Sequence, residues 1–453
     1  MKILIAGDGK VGSIVSKTLS REGHDIVLID MNDDALAMGA DKYDIMSVKG
    51  NCASMSTLKQ AGVEDAELLI AVTSMDEINL LSCLTAHCIN PELHTIARIR
   101  NPEYVEQAVA MKNAFALSLV VNPERQAARE ISNLIRYPGF LKRDTFAKGR
   151  VQIVELKVEE DSPLCNVSLM SLGEIIKCKV LVCAVLRDGK AMIPGGNFVL
   201  QAGDRLHVAA AHQDIKNFFR AVGQKTAKIK NVLICGGGRL CFYLAAQLIQ
   251  AGMQVKIIER NEARCEELSD RFPRATIIHG DATDHELLLE EGIQSADAFV
   301  AITNMDEENI IMSLYAKSQG VPKIVAKVNE DSRAQMVEGL GIDSIVSTKS
   351  ATADTIMNYV RARMNSYSIA NVEAISQLLN GKVEALEFMI KKECEFTNIP
   401  LKELRTKKDY LIACIGRGRK VIIPNGDDHI EVGDNVVVVT KNRGLDNFTD
   451  ILA

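Results

Sequence analysis

No stretch of the sequence approaches the roughly 20 consecutive apolar residues of a membrane span. The longest apolar runs are short pieces such as VLVCAVL at 180–186. An export signal is also missing: MKILIAG enters a strand pattern at once, without the charged, apolar and cleavable regions of a signal peptide. These two absences place the protein in the cytoplasm. Positive charge is not in excess either. A formal net charge of −6 argues against nucleic acid or a bare anionic membrane as the main partner, because both reward a basic surface. A membrane protein stays open as a partner.

The motifs of several chemistries are absent. There is no CxxC among the eleven cysteines, most of which sit in apolar surroundings such as those of Cys183 and Cys235. They read as reduced, buried small hydrophobes. Cys83 and Cys88, and Cys178 and Cys183, lie five apart with no histidine at metal spacing. His279, Asp281 and His285 fall on a strand end and the following loop. They read as pocket and surface polar groups, not as zinc ligands, and no metal site is expected. The sequence has no GxxxxGK[ST], no GxSxG and no HExxH. None of the eight histidines, at 24, 87, 94, 207, 212, 279, 285 and 429, occupies a catalytic motif, so no catalytic residue is assigned.

What is present is a chain of 453 residues, 47% hydrophobic and 25% charged, with a length prior of about three domains. It is written twice. LLIAVTSMDEINLL (68–81) matches AFVAITNMDEENII (298–311), KILIAGDGKVG (2–12) matches NVLICGGGRLC (231–241), and IPGGNFVLQAGDRLHV (193–208) matches IPNGDDHIEVGDNVVV (423–438). The offset is about 230 residues throughout. A repeat of that length makes each copy a folded module, not a solenoid unit.

Each copy has two textures. The first alternates short apolar strands with helical spacing: strands near 2–6, 26–30, 44–48, 67–72, 94–99 and 117–121, then near 231–235, 254–259, 275–279, 297–302, 323–328 and 344–347. Such alternation predicts right-handed crossovers and a parallel, doubly wound sheet. The second texture, 151–212 and 383–441, is strand-rich. It predicts a hairpin turning at Asp188-Gly189, a counterpart around Gly416-Gly418, and a Gly-Asp pair before each last strand. The fold class is therefore α/β, with two Rossmann-like parallel sheets, each followed by a small α+β module.

Gly7, Gly9 and Gly12 form GxGxxG between a strand and a helix, and Asp30 ends the next strand 23 residues after Gly7. In that context the motif predicts a dinucleotide site. Gly7 permits the turn, Gly9 lets the pyrophosphate approach the backbone, and Gly12 allows close packing of helix and strand. The helix N-terminus offers unpaired N–H groups to phosphate. Asp30 accepts from ribose hydroxyls and repels a 2′-phosphate, which favours NAD(H) over NADP(H). Copy two has Gly236 and Gly238, with Glu259 at the same distance, but Cys241 replaces the third glycine. Arg260 and Arg264 follow the acid, and ATP or ADP competes with NAD there. Lys10 and Arg239 share one loop position and can neutralise phosphate.

Ligands of open sheets bind beyond the carboxyl ends of the strands, where strand order reverses. That rule selects Asn51 and Cys52, matched by Asp281 and Ala282; Thr73 and Ser74, matched by Thr303 and Asn304; and Arg98, matched by Lys327. Asp76 and Asp306 read as helix caps. No substrate domain accompanies the modules, which favours a sensor. The alternative is an NAD-dependent oxidoreductase whose substrate site is not decoded.

The segments ILIAGDGKVGSIVSKTLSREGHDIVLID, GNCASMSTLKQAGVEDAELLIAVTSMDEINLL and IARIRNPEY closely resemble the regulator-of-potassium-conductance (RCK, or KTN) domain. The tandem arrangement resembles the TrkA family, the cytosolic regulatory subunits of bacterial Trk potassium uptake systems. The resemblance implies Rossmann-like RCK N-terminal domains at 1–137 and 231–365, RCK C-terminal domains at 138–212 and 366–453, and a linker at 213–230. It also implies a homo-oligomer, a tetrameric ring of RCK domains, under a potassium-translocating membrane subunit of the TrkH/TrkG type. The chain would then be peripheral at the inner face of the cell membrane. NAD(H), ATP and ADP are the implied ligands. By analogy Gly7, Asp8, Gly9, Lys10, Val11, Gly12, Asp30, Asn51, Cys52, Thr73, Ser74 and Arg98 form one site. Gly236, Gly237, Gly238, Arg239, Leu240, Glu259, Asp281 and Thr303 form the other. Cys241 is the departure from the pattern.

Overall fold

A computed structural model describes residues 1–33, 45–223, 228–336, 340, 342–364, 370–379, 381–442, 445 and 447–452. Its strands are β1 (Lys2–Ala6), β2 (Asp25–Asp30), β3 (Met46–Lys49), β4 (Leu68–Ala71), β5 (His94–Arg98) and β6 (Leu119–Val121), then β7 (Lys142–Phe146), β8 (Val151–Lys157), β9 (Val180–Arg187), β10 (Lys190–Met192) and β11 (Arg205–Ala211). The second copy has β12 (Asn231–Cys235), β13 (Gln254–Glu259), β14 (Thr276–His279), β15 (Ala298–Ala301), β16 (Lys323–Lys327) and β17 (Ser344–Val346), then β18 (Ala370–Leu378), β19 (Val383–Ile390), β20 (Tyr410–Arg417), β21 (Lys420–Ile422) and β22 (Asn435–Thr440).

The chain forms two compact units, and each gathers the like parts of both copies. One comprises Met1–Ser132 and Lys230–Met357, the other Asn133–Ile229 and Asn358–Ala453. The first unit holds two parallel sheets, ordered β3-β2-β1-β4-β5-β6 and β14-β13-β12-β15-β16-β17. In both, strand order reverses beside the first strand of the copy, the switch point of a doubly wound fold. The first strand is apolar on both faces because helices cover both: Ile3, Leu4, Ile5 and Ala6 are all fully buried. The helix Lys10–Arg21 buries Val11, Gly12, Val15, Ser16 and Leu19 at helical spacing, and Gly23 follows it at φ 79°, a left-handed C-terminal stop. Its counterpart Arg239–Gln250 buries Leu240, Cys241, Leu244, Ala245 and Leu248.

Two antiparallel sheets, ordered β10-β9-β11-β8-β7 and β18-β19-β22-β20-β21, make the second unit. They share one core: Phe146, Val151, Ile153 and Cys183 of one copy cluster with Leu378, Ala385, Cys414 and Val437 of the other. The first hairpin turns at Asp188 and Gly189, both at positive φ, as a two-residue turn between twisted strands requires. The second turns at Gly418 and Arg419, since Arg417 pairs with Lys420. Gly416 lies within β20, so this turn falls later than its glycines suggest. The stretch read as a linker begins as helix, over His212–Ala221. Among the described residues no helix is long and apolar enough to cross a membrane.

The repeated Gly-Asp pair has a structural cause. Asp204 is buried and accepts from Arg187 Nε and Nη2, both at 2.7 Å. Asp434 accepts from Arg417 Nε and Nη2 at 2.9 and 2.8 Å. Each fork ties the hairpin to the turn before the last strand. Gly203 and Gly433, at φ 88° and 91°, let the chain enter that turn. Removing the buried aspartate strips its arginine of two charge-assisted bonds, although Arg417 keeps Glu431 and the His429 carbonyl and Arg187 keeps the Val199 carbonyl. Asp434→Ala is expected to destabilise the protein by about 2–4 kcal/mol, less than a fully buried pair because the arginine reaches solvent. The drop is read in the urea midpoint, and Asp204→Ala is expected to act alike.

Candidate functional site

Gly7 sits at φ 101°, and a Cβ there would lie 2.9 Å from the Thr73 backbone. The turn therefore passes directly against the end of β4. Gly236 repeats this at φ 104° against Thr303, at 3.0 Å. A Cβ on Gly9 or Gly238 would meet nothing within 4 Å. The backbone there faces open space, where a phosphate can approach the N–H groups of the helix start. Gly12 is required for a different reason than helix–strand packing. Its Cβ would fall 1.9 Å from the Gly7 carbonyl oxygen, so the constraint lies within the turn itself. Cys241 occupies the same position fully buried, and burial pushes its thiol up to about 12. The second turn thus holds its own carbonyl clear of a Cβ.

The acids at the ends of β2 and β13 are joined to these turns. Asp30 Oδ2 accepts from the Asp8 N–H at 2.7 Å, and Oδ1 accepts from the Asn32 N–H at 2.9 Å. Glu259 Oε2 accepts from the Gly237 N–H at 2.6 Å, and Oε1 from the Asn261 N–H at 2.9 Å. A carboxylate has about four acceptor positions, so each acid keeps capacity for ribose hydroxyls. Arg264 Nε donates to the Gly237 carbonyl at 2.7 Å and adds a positive charge beside the second acid.

The remaining strand ends converge on the same edge. Thr73 and Ser74 follow β4, Arg98 ends β5, and Asn51 follows β3 with its Oδ1 accepting from the Ala53 N–H at 3.0 Å. In the second copy Asp281 Oδ1 accepts from the N–H and hydroxyl of Thr283, which holds its carboxyl below the ordinary range. Cys52 turns away from this edge: it is buried and its sulfur accepts from Ser82 Oγ at 3.2 Å. Only its main chain borders the site. Val11 and Leu240 are buried likewise and offer main-chain groups alone. Lys10 and Arg239 are exposed at the first helical position. His285 stacks on Tyr315 at 4.0 Å, and His279 Nε2 pairs with the Arg260 carbonyl.

Asp76 and Asp306 do not cap their helices. Met75 and Met305 are the N-cap residues. Asp76 Oδ2 instead accepts from the N–H groups of Arg100 and Asn101 at 2.9 and 2.8 Å, and Asp306 accepts from Asn329 and Glu330. The carboxylate is placed at the start of its helix but reaches the neighbouring loop, whose amides would otherwise be orphaned. Sequence reasoning also missed Asn79 and Asn309. Both are fully buried. Asn79 Oδ1 accepts from Thr73 N and Oγ1, and its Nδ2 donates to the Arg98 carbonyl at 2.8 Å. Asn309 makes the same bonds to Thr303 and Lys327. The signal was present, because this asparagine is identical in the two MDExN repeats.

Within the first unit the copies meet near this edge. Tyr243, from the second glycine helix, accepts from Asn122 Nδ2 at 3.1 Å and donates to the Arg100 carbonyl at 3.3 Å. Gln126 Nε2 donates to Thr355 Oγ1 at 2.8 Å. Burial, then the neighbouring Arg100, lowers the pKa of Arg98; Glu124 is raised by burial and feels Arg100, Arg98 and, from the other copy, Arg239. Burial lowers Lys327 against the pull of Asp306 and Glu124.

Comparison with known proteins places the chain in a family. The TrkA-N domain model matches residues 3–123 and 232–348, and the TrkA-C domain model matches 153–223 and 385–453. This chain belongs to the TrkA family. It is 32% identical over 449 residues to the Trk system potassium uptake protein TrkA of Vibrio alginolyticus, covering 98% of this chain and 96% of that one. It is 33% identical over 450 residues to that of Halomonas elongata, covering 98% and 97%. Its fold is similar to that of the GsuK channel bound to NAD, with a TM-score of 0.64 at 20% identity over 97% of this chain and 76% of that chain. Membership of the TrkA family accounts for the duplication, since both domain models match twice.

The two glycine turns make a direct prediction. Gly12→Ala is expected to displace the Gly7 carbonyl and to lower NADH affinity of the first half by about tenfold or more. Cys241→Gly is expected to leave nucleotide binding unchanged within about twofold. Fluorescence titration with NADH checks both.

Proposed function

We propose that this protein is the nucleotide-sensing subunit of a potassium uptake system, controlling potassium flux through a membrane subunit of the TrkH/TrkG type in response to NAD(H) and ATP or ADP. One observation carries the reading. A glycine turn with an open phosphate approach, held by a carboxylate at the next strand end, is built twice in one unit. The names of the relatives supply the potassium system, and the NAD-bound neighbour supports the ligand class.

In this reading residues 1–137 and 231–365 are the sensing modules, and 138–212 and 366–453 their companions, joined by 213–230. The protein sits at the inner face of the cell membrane through its partner and assembles as a homotetrameric ring. Gly7–Gly12, Asp30, Thr73, Ser74 and Arg98 bind the first nucleotide. Gly236–Leu240, Glu259, Asp281, Thr303 and Lys327 bind the second. A nucleotide shifts the regulator only through its different affinity for two arrangements. The contact of Tyr243 with Asn122 and Arg100 makes the junction of the two copies the natural element to move.

Asp30→Ala is expected to weaken NADH binding by about tenfold or more while circular dichroism stays native, since the ribose acceptor is lost. Calorimetry measures this, and unchanged affinity would sink the site assignment. Co-purification of the tagged protein with a polytopic potassium-translocating subunit tests the partner.

A further inference from the structure

The two sites differ most at the corner where the ribose acid meets the glycine turn. In the first copy the second residue of the turn is Asp8. Its N–H donates to Asp30 Oδ2 at 2.7 Å, and its own carboxylate lies close enough to feel the Asp30 charge. Asp8 Oδ1 is enclosed and has no hydrogen-bond donor. Burial, then Asp30, pushes the Asp8 carboxyl up to about 6. Two carboxylates without enough donors are costly, and nothing in the fold of the turn requires the second one. The other copy shows this: Gly237 stands in its place, and the turn closes in the same way on Glu259. That corner has no room for a second acid. A Cβ on Gly237 would lie 3.0 Å from Glu259 Cγ and 2.7 Å from Leu268 Cδ1. Arg264, donating to the Gly237 carbonyl, supplies positive charge there instead.

We infer that Asp8 is a specificity-determining residue: with Asp30 it makes a paired-carboxylate corner that takes an adenosine ribose with both hydroxyls free and rejects a 2′-phosphorylated one, while the second site is the more permissive of the two. This rests on the nucleotide reading above. A ribose brings two hydroxyl donors to the two acids, which is what the pair lacks. A 2′-phosphate brings negative charge and no donor to a corner that already holds two carboxylates, so it is excluded by repulsion. At the second corner a single acid stands beside Arg264, whose guanidinium also pairs with the exposed Glu267, and no second carboxylate lies on the turn, so the penalty is smaller.

The test is a pair of titrations, NADH and NADPH, into the full chain and into Asp8→Gly and Asp8→Asn. The glycine variant reproduces what the second turn already carries, so the turn is expected to form. In the wild type the tightest NADH sites are expected to discriminate against NADPH by about a hundredfold or more. Both variants are expected to narrow that ratio by about tenfold, chiefly through a gain for NADPH. Asparagine keeps the volume and the backbone bond, so a merely structural Asp8 would leave the ratio of Asp8→Asn at the wild-type value. That result, or a wild-type chain that binds NADPH as tightly as NADH, would overturn the inference and leave the nucleotide reading intact. A wild-type chain that binds neither nucleotide would overturn both.

Discussion

A single hydrogen bond, made twice, organises the functional edge of this protein. The acid that ends the second strand of each parallel sheet accepts from the backbone of the glycine turn that ends the first, Asp30 from Asp8 and Glu259 from Gly237. The bond is charge-assisted and part-buried, so it is stronger than a neutral one and weakly screened. It sets the turn at the height of the strand ends. The helix that follows then aims its free N–H groups over the same edge. Without it the turn would have no fixed position beside the acid at the next strand end.

Two further side chains complete the edge, and both act on backbone. The asparagine in the helix after the fourth strand of each copy, Asn79 or Asn309, links the end of the fourth strand to that of the fifth. The aspartate at the helix start, Asp76 or Asp306, holds the loop after the fifth strand. The strand ends thus form one hydrogen-bonded rim. Beside the rim the two copies are joined by the Asn122–Tyr243 and Gln126–Thr355 hydrogen bonds. Glu124, half-buried with one enclosed oxygen that has no hydrogen-bond partner, stands among Arg98, Arg100 and Arg239 at that junction.

The duplication has not kept the halves equal. Asp8 against Gly237, Gly12 against Cys241 and Arg98 against Lys327 change charge and space at matching positions of one architecture. Folds host sites, and the sites carry function; here one chain carries the same site in two chemical versions. The strand-rich modules diverge less in their framework, since both keep the arginine–aspartate fork.

Much of this was legible in the residues alone. Apolar runs separated by helical spacing specified two doubly wound sheets, because a strand covered on both faces must be apolar throughout. Gly7 with Asp30 located the turn, because few residues tolerate its φ and close approach. The site's rim was only partly legible. Asp76 read as a cap because an acid before an apolar run is the local signature of one, and nothing local reveals that its carboxylate faces the loop after β5. Cys52 sat at the right strand end, yet its side chain is drawn inward by Ser82 and the core. Which modules would pair was beyond the sequence altogether. The chain alternates parallel and antiparallel modules, and the structure groups like with like, because apolar surfaces such as those around Val151 and Val437 are buried by partners more than 200 residues away. Local spacing determines the elements and the turn; long-range burial and hydrogen-bond satisfaction decide which side chains stand open at the strand-end edge and which hold the scaffold.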